Sequence, residues 1–514
     1  MKKYIKLLSL SFMMIYFSSC SLYEDPPFLS EDDVFSNVEY SKTALNGVYG
    51  GMASYNNYSM TIQVLINGFS GYFTQRMYGA QLYDPINQNL YSLKPQANSK
   101  EVEYVWRDTY ATIGRANDII TNLKPVDNPV SEEDKNLNNI LGQAFFIRAF
   151  EYFNLVRLWG DVPLRLEPMT TENIHKPKSP ASDIYEQILS DASNAVRLMK
   201  PKVTQDKGYP GVEAAHMLLA KIYMTLAGNK TAAETEYWQM AYDEAIQVYG
   251  KYRLIDLEQL WSDEGGDNSA ENIFEIQFNL TNPGAMMKLY TPNGATKANT
   301  WGRFFINIAL YDEHVKLYGD TLNFIRHKDK RINQTYRSFW VNVQKSPPKT
   351  QKSYPLSPRK NFMTSYPIAC KYWSKNVNVV TEDNEKNFIV YRYADLLLML
   401  AEISNELNNG EQMEYVTEVL NRAGVAPHLQ YYQGQDAFRE AIMKEYAFEL
   451  IGEGHDAFNN RRRGYEWFKS HVIDVHNNYH KWDPKLDLKL AEDENTVMYL
   501  PIPTTEINTN QDIN

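Results

Sequence analysis

Apolar positions along this chain recur mostly at helical spacing. The strongest signal runs from Leu141 to Leu164. Leu141, Phe145, Ala149, Tyr152, Phe153 and Val156 mark one face of a helix. Ala144, Ile147, Phe150, Leu155, Leu158 and Trp159 mark the other side, which leaves only a strip of Arg148, Glu151, Asn154 and Arg157. A helix apolar on two sides has to be covered on both, so it belongs inside a helical stack. Gly160 supplies the stop and Pro163 prevents resumption. A charged pair in such a helix, Arg148 with Glu151, reads as structural.

The same spacing predicts helices over Val38–Tyr55, Glu101–Leu123, Ser182–Met199 (capped by Ser182 or Asp183), Gly211–Ala227 and Glu236–Tyr249. Further helices are expected over Phe388–Leu407, Gln412–Arg422 and Asp436–Ile451. Ala215, Ala220, Ala241 and Ala245 place small residues where two helices approach closely. This is tetratricopeptide-like spacing, one helical hairpin per roughly 34 residues. The expected fold is mostly α, a tetratricopeptide-like superhelix of helical hairpins with large irregular insertions.

Two stretches break the period. Asn56–Ser99 is rich in Gly, Asn, Gln and Tyr, and an ordered loop of that length argues for function. Tyr252–Lys386 is mostly without helical repeat and holds a strand-like alternation at Ile273–Phe278. The chain divides into a signal segment (1–19), a tether (20–37) and one domain (38–514). That domain comprises 38–250 with the 56–99 insertion, the 252–386 insertion, and C-terminal helices with a tail (387–514).

The N-terminus adds a location. Lys2, Lys3 and Lys6 precede a short apolar run, Leu7–Phe17, and Ser18-Ser19-Cys20 resembles a bacterial lipobox. The run is too short to span a bilayer. Cleavage leaves Cys20 as an acylated N-terminus, so the membrane is met through the lipid anchor only. Cys370 is the other cysteine, so stability rests on packing rather than a disulfide. The formal net charge is −11. Without the three signal lysines it is about −14, and with no basic tract to grip phosphates this argues against nucleic acid.

The pattern also resembles a family. RAFEYFNLVRLWGDVPL looks like the hallmark helix of the SusD/RagB proteins, nutrient-binding outer-membrane lipoproteins of Bacteroidetes. WRDTYATIGRANDII, RYADLLLMLAEISNEL, KEYAFELIGEGHDAFNNRRRG and YLPIPTTEI resemble further family motifs, in the family's order. The departures are Asp456, Ala457 and Asn459, where the family prefers Arg, an aromatic and Asp, and a tail that stops short of the full "QNPGY". The resemblance implies a binding protein rather than an enzyme, exposed on the cell surface and capping a SusC-like TonB-dependent transporter as a hinged lid. It implies an oligosaccharide cargo; the alternative is a peptide cargo, or a mainly protein-interacting lid.

Sugar recognition needs flat apolar faces rimmed by amides and carboxylates. Trp301, in NGATKANTWGRFF, matches the place where starch-binding members carry an aromatic platform, and Tyr290 belongs to the same segment. In the first insertion, Tyr72, Arg76, Tyr78 and Tyr83 lie where the family contributes its other contacts, with Asn67 or Asn87 as amide partners. Trp106, Trp159 and Trp373 read as core.

Catalytic signals are weak. No G-x-S-x-G, H-E-x-x-H or P-loop occurs. Asp263–Asn268 lacks the glycine and terminal Glu of a calcium loop and reads as a solvated turn. His471, His476 and His480 have helical spacing but no fourth ligand. No cofactor, metal or catalytic residue is expected. A secreted glycosidase is the remaining reading, and no carboxylate pair is singled out for it.

Overall fold

The computed structural model describes residues 34–35, 37–74, 77–78, 81–82 and 89–513; of 77–78 and 81–82 only the backbone is described. The signal segment, Cys20, most of the tether, Arg76, Tyr83 and Asn87 lie outside the described residues.

The chain builds helices α1 (Val38–Met52), α2 (Thr61–Gly68), α3 (Lys100–Asn122), α4 (Glu132–Trp159), α5 (Ala181–Leu198), α6 (Val212–Ala227) and α7 (Tyr237–Ala245). After the insertion come α8 (Tyr393–Leu407), α9 (Gln412–Ala423) and α10 (Gln435–Leu450). Neighbours in sequence pack as hairpins: α4 on α5, α6 on α7, α8 on α9. The mostly helical superhelix is thus observed.

The hallmark helix α4 is covered on nearly every side, with 20 of its residues buried from Asn138 onward. It starts earlier than its apolar period, because Ser131 accepts a hydrogen bond from the Asp134 N–H and Glu132, Glu133 and Asp134 favour the first turn. It ends at Gly160 with φ +72° and ψ −122°, a conformation that suits glycine alone. Its charged strip differs from expectation. Arg148 forms a bidentate pair with Asp191 of α5 at 2.7 Å on both arms, not with Glu151. Glu151 is fully buried, and neither carboxylate oxygen is hydrogen-bonded among the described residues. Burial pushes its carboxyl up to about 8, a shift the Asn154 and Asn57 amides offset only in part.

Three local expectations are corrected. Thr61–Gly68 is helix rather than loop; all eight of its residues are buried, so no polar face was left to show a period. Phe388–Arg392 is a strand pairing antiparallel with Asn272–Ile276, and helix begins only at Tyr393. At the start of α5, Pro180 occupies the cap position, and Asp161 accepts the Ala181 N–H that Ser182 or Asp183 was expected to serve.

The two insertions meet. Strands Phe73–Thr74, Phe305–Ile306, Ile368–Ala369 and Tyr336–Arg337 form one antiparallel sheet in that order, joining the first insertion to three parts of the second. A hairpin, Phe339–Asn342 with Lys349–Lys352, projects from the second insertion.

The C-terminal helices are fastened to the insertion by buried ions. Arg392 reaches Glu453 (2.6 Å), Glu449 (2.7 Å) and Glu271 (2.9 Å); Arg422 shares Glu449, and Lys371 shares Glu453 at 2.5 Å. Burial opposes ionisation of Glu449, but Arg422, Arg392 and Arg331 outweigh it and hold the carboxyl at about 2. Arg462 and Arg463 both grip Glu402. These residues carry the RYAD, AE, FEL, GEGH and RRR letters of the motifs, so the motifs bind the scaffold to itself.

Candidate functional site

Trp301 sits at the end of a loop, 291–301, whose form is set by close backbone approaches. Gly294 has φ +84°, and a Cβ there would lie 2.4 Å from the Asn342 side chain. Gly302 has φ +55°, and its Cβ would meet Pro292 at 2.6 Å. The Trp301 N–H donates to the Lys288 carbonyl (2.8 Å), and Thr300 Oγ1 donates to the Pro292 carbonyl (3.1 Å). The indole is half-buried, with Lys288 Nζ 4.4 Å and the Arg303 guanidinium 4.5 Å from its ring centroid. Lys288 is also paired with Glu382 at 2.8 Å. A part-exposed indole flanked by cations and a carboxylate suits a polar ligand with one apolar face.

Tyr290 does not join this surface. It is fully buried; its hydroxyl donates to the Gly452 carbonyl at 2.6 Å and accepts from Asn67 Nδ2 at 3.1 Å. Burial pushes its phenol well above the usual range. Expectation placed its ring, with the Asn67 amide, on the ligand face; both instead tie α2 to the turn after α10, with no surface left for a ligand.

Tyr72 is half-buried and lies in another cleft, of about 350 Å³, lined also by Leu310, Met443, Phe448, His471 and Tyr479. Its hydroxyl accepts from Asn460 Nδ2 at 3.0 Å. The sheet brings its backbone near the Trp301 segment, since the Asn307 N–H donates to the Tyr72 carbonyl. Tyr78 lies in a short strand, Met77–Tyr78, paired with Gln81–Leu82, and its side chain is outside the described residues.

The three histidines are engaged separately. His471 stacks on Trp467 at 3.7 Å and faces Glu440, His476 is bonded to the Leu488 carbonyl, and His480 packs on Tyr479. Trp106 and Trp159 are core, 5.3 Å apart edge to face. Trp373, expected there too, is only half-buried, with the Arg337 guanidinium 5.4 Å from its ring. Its loop is bonded to the Trp301 loop through Lys297 N–H to the Val377 carbonyl (3.1 Å).

Sequence reasoning missed one feature altogether. From Lys330 to Val380 the chain carries ten Lys or Arg and no Asp or Glu, within a protein of net charge −11. A charge count in a sliding window reveals it; the overall balance hides it, and the expectation of no basic tract is corrected accordingly.

A model of the SusD family matches residues 258–514, and one described as starch-binding and associating with the outer membrane matches 30–224. SusD-like protein P25 of Formosa agariphila is 27% identical over 446 residues, covering 80% of this chain and 77% of its own. A SusD homologue from Bacteroides thetaiotaomicron shares the fold with a TM-score of 0.75 at 21% identity, over 94% of this chain and 97% of its own. A laminarin-binding SusD-like protein does so at 0.67 and 20% identity, over 92% and 98%. The chain belongs to the SusD family.

Proposed function

We propose that this protein is a non-catalytic glycan-binding lipoprotein of the outer membrane. Cys20 carries the lipid anchor, residues 38–514 form one domain, and the protein hands oligosaccharide to a SusC-like TonB-dependent transporter for which it is the lid. The observation that carries the reading is Trp301, a half-buried indole on an irregular loop held against the helical scaffold. An indole face takes the C–H side of a sugar ring, while the adjoining Lys288, Arg303 and Glu382 supply partners for hydroxyls. The starch-binding description of the matching family model and the laminarin-binding neighbour support a carbohydrate. Outer-membrane association is supported by the family model's description, and no helix among the described residues is long and apolar enough to cross a membrane; exposure on the cell surface is part of the proposal. Tyr72, and Arg76, Tyr78 and Tyr83 with it, form a second contact region in this reading.

The test is a polysaccharide panel in affinity electrophoresis, followed by calorimetry on the hit with wild type and Trp301→Ala. Retardation by a polysaccharide, lost in the variant while its circular dichroism is unchanged, is expected. Retention of full affinity by Trp301→Ala overturns Trp301 as the platform. Absence of retardation throughout the panel, with binding of peptides instead, overturns the glycan reading.

A further inference from the structure

Beside the Trp301 loop lies an open groove with a cavity volume of about 690 Å³. Its wall on one side is the projecting hairpin, with Trp340, Asn342, Gln351 and Lys352; on the other it is the turn around Lys360–Thr364. Asn293, from the same loop as Trp301, closes one edge, and Lys345 and Lys485 also line the groove. The hairpin is anchored to that loop by the Val343 N–H donating to the Gly294 carbonyl (2.8 Å) and by Gln344 Nε2 donating to the Thr296 and Ala298 carbonyls (2.9 and 3.1 Å).

Three properties of the groove go together. Its lining holds Lys345, Lys352, Lys360 and Lys485 and no Asp or Glu. Among the described residues none of these four ammonium groups makes an ion pair or hydrogen bond. Three other cations of the same basic stretch are paired: Arg359 with Asp487, Lys371 with Glu453, and Arg331 with Asp329 and Glu445. The second property is an unused donor. Trp340 is 5% exposed, and its Nε1–H has no acceptor among the described residues. A buried donor without a partner is costly, and this one lies in the wall of the groove. Third, the amides of Asn293, Asn342, Asn361 and Gln351 stand around the same space with the apolar surfaces of Phe362 and Met363.

We infer that this groove binds an anionic oligosaccharide, one bearing carboxylate or sulfate on its rings. Lysine ammonium groups meet isolated anions as point charges without demanding a fixed fork geometry, which fits substituents at varied ring positions. The amides take ring hydroxyls and oxygens, and the part-exposed Met363 offers an apolar contact. Nucleic acid would use the same cations, but its bases are served best by exposed aromatic faces. Trp340 and Phe362 are both buried. A local field opposite in sign to the whole protein's raises the encounter rate of such a ligand at this groove and not elsewhere. The polymer class rests on the glycan reading given above; the charge preference rests on the groove.

The experiment uses the anchor-free mature chain and matched probes. Hexameric oligogalacturonate is compared with its methyl ester, and a sulfated galactan oligosaccharide with its desulfated form, at low and at 0.5 M salt. Lys345→Gln/Lys352→Gln/Lys360→Gln is the variant, and hexathymidylate is the non-sugar polyanion. At least one anionic sugar is expected to bind tenfold or more tightly than its uncharged match at low salt. That preference should fall to near parity in the triple variant and shrink in salt. Which acid wins, carboxylate or sulfate, identifies the substituent. Equal binding of charged and uncharged partners, or a preference that survives in the variant, overturns the inference. Equal or tighter binding of hexathymidylate overturns it in favour of a general polyanion site. If an uncharged glycan binds, is lost in Trp301→Ala and is indifferent to the lysines, the groove proposal fails while the glycan reading stands. If no sugar of either kind binds, the groove proposal fails, and the glycan reading stands or falls with the polysaccharide panel.

Discussion

The helical scaffold and the exposed lysines of the 330–380 part of the insertion treat charge in opposite ways. In the scaffold, ions are buried and matched: Arg148 with Asp191, Arg392 with three glutamates, Arg462 and Arg463 with Glu402. In the insertion, Lys345, Lys352 and Lys360 stand in solvent without a counter-ion among the described residues. A buried ion without its partner is too costly to keep, so matched burial is a structural device. An unmatched solvent-exposed cation costs the fold little and is available to a ligand. The family-like motifs lie almost wholly in the first region. They make the family recognisable but say little about what this member binds.

Three substitutions bear on that contrast. Arg392→Met should have the largest effect, because Glu271, Glu449 and Glu453 each lose a buried cation. A loss of about 3–5 kcal/mol is expected from urea or thermal unfolding, with the greatest deficit above about pH 5, where three ionised carboxylates share only Arg422, Lys371 and the more distant Arg331. A loss under 1 kcal/mol would mean the network is not a fastening.

Glu151→Gln comes next and works through pH. The folded carboxyl titrates at about 8, and an unfolded glutamate near 4.3. Between those values the folded state holds a proton that the unfolded state has released, so stability contributed by the neutral acid is present below pH 4 and lost as pH rises towards 8. The wild type should therefore lose on the order of 1 kcal/mol per pH unit more than the variant across pH 5–8. Parallel stability curves for the two proteins would show that Glu151 is not neutral in the fold. Asp456 and Glu275, both pushed up to about 7 by burial, act in the same direction in both proteins and cancel in the comparison.

The smallest effect belongs to the insertion. Lys345→Gln/Lys352→Gln/Lys360→Gln should leave unfolding free energy within about 0.5 kcal/mol of wild type, since exposed, unpaired side chains contribute little. A larger change would place these lysines in the fold's own electrostatics.

How much could be read beforehand follows from the same physics. The α4 helix was legible because burial on two sides and a terminal Gly160 leave an unmistakable pattern, yet its first nine residues were missed, although Ser131-Glu132-Glu133-Asp134 is a capping sequence. Phe388–Arg392 reads equally as helix or strand, because a short continuous apolar run fits both periods and only its β-branched and aromatic content leans towards strand. Thr61–Gly68 was hidden by total burial. Of the proposed site, Trp301 stands out in the sequence by its Gly- and Asn-rich loop, which the structure holds by close backbone contacts. Tyr290, eleven residues away at the start of the same segment, could not be told from it, because burial depends on Asn67 and Gly452, far off in sequence. The lysine groove needed the hairpin register and the Asn293 contact to assemble, although its charge bias was open to view.

The central claim is that ligand is held by the insertion while the helical hairpins serve as scaffold. Hydrogen–deuterium exchange with and without a saturating glycan found in the panel tests it directly. Added protection confined to residues 72–83, 288–303 and 336–364, with α4, α5 and α6 unchanged, is the predicted result. Protection that maps instead to exposed positions of the helical hairpins, leaving the Trp301 loop and the projecting hairpin unaltered, would contradict it.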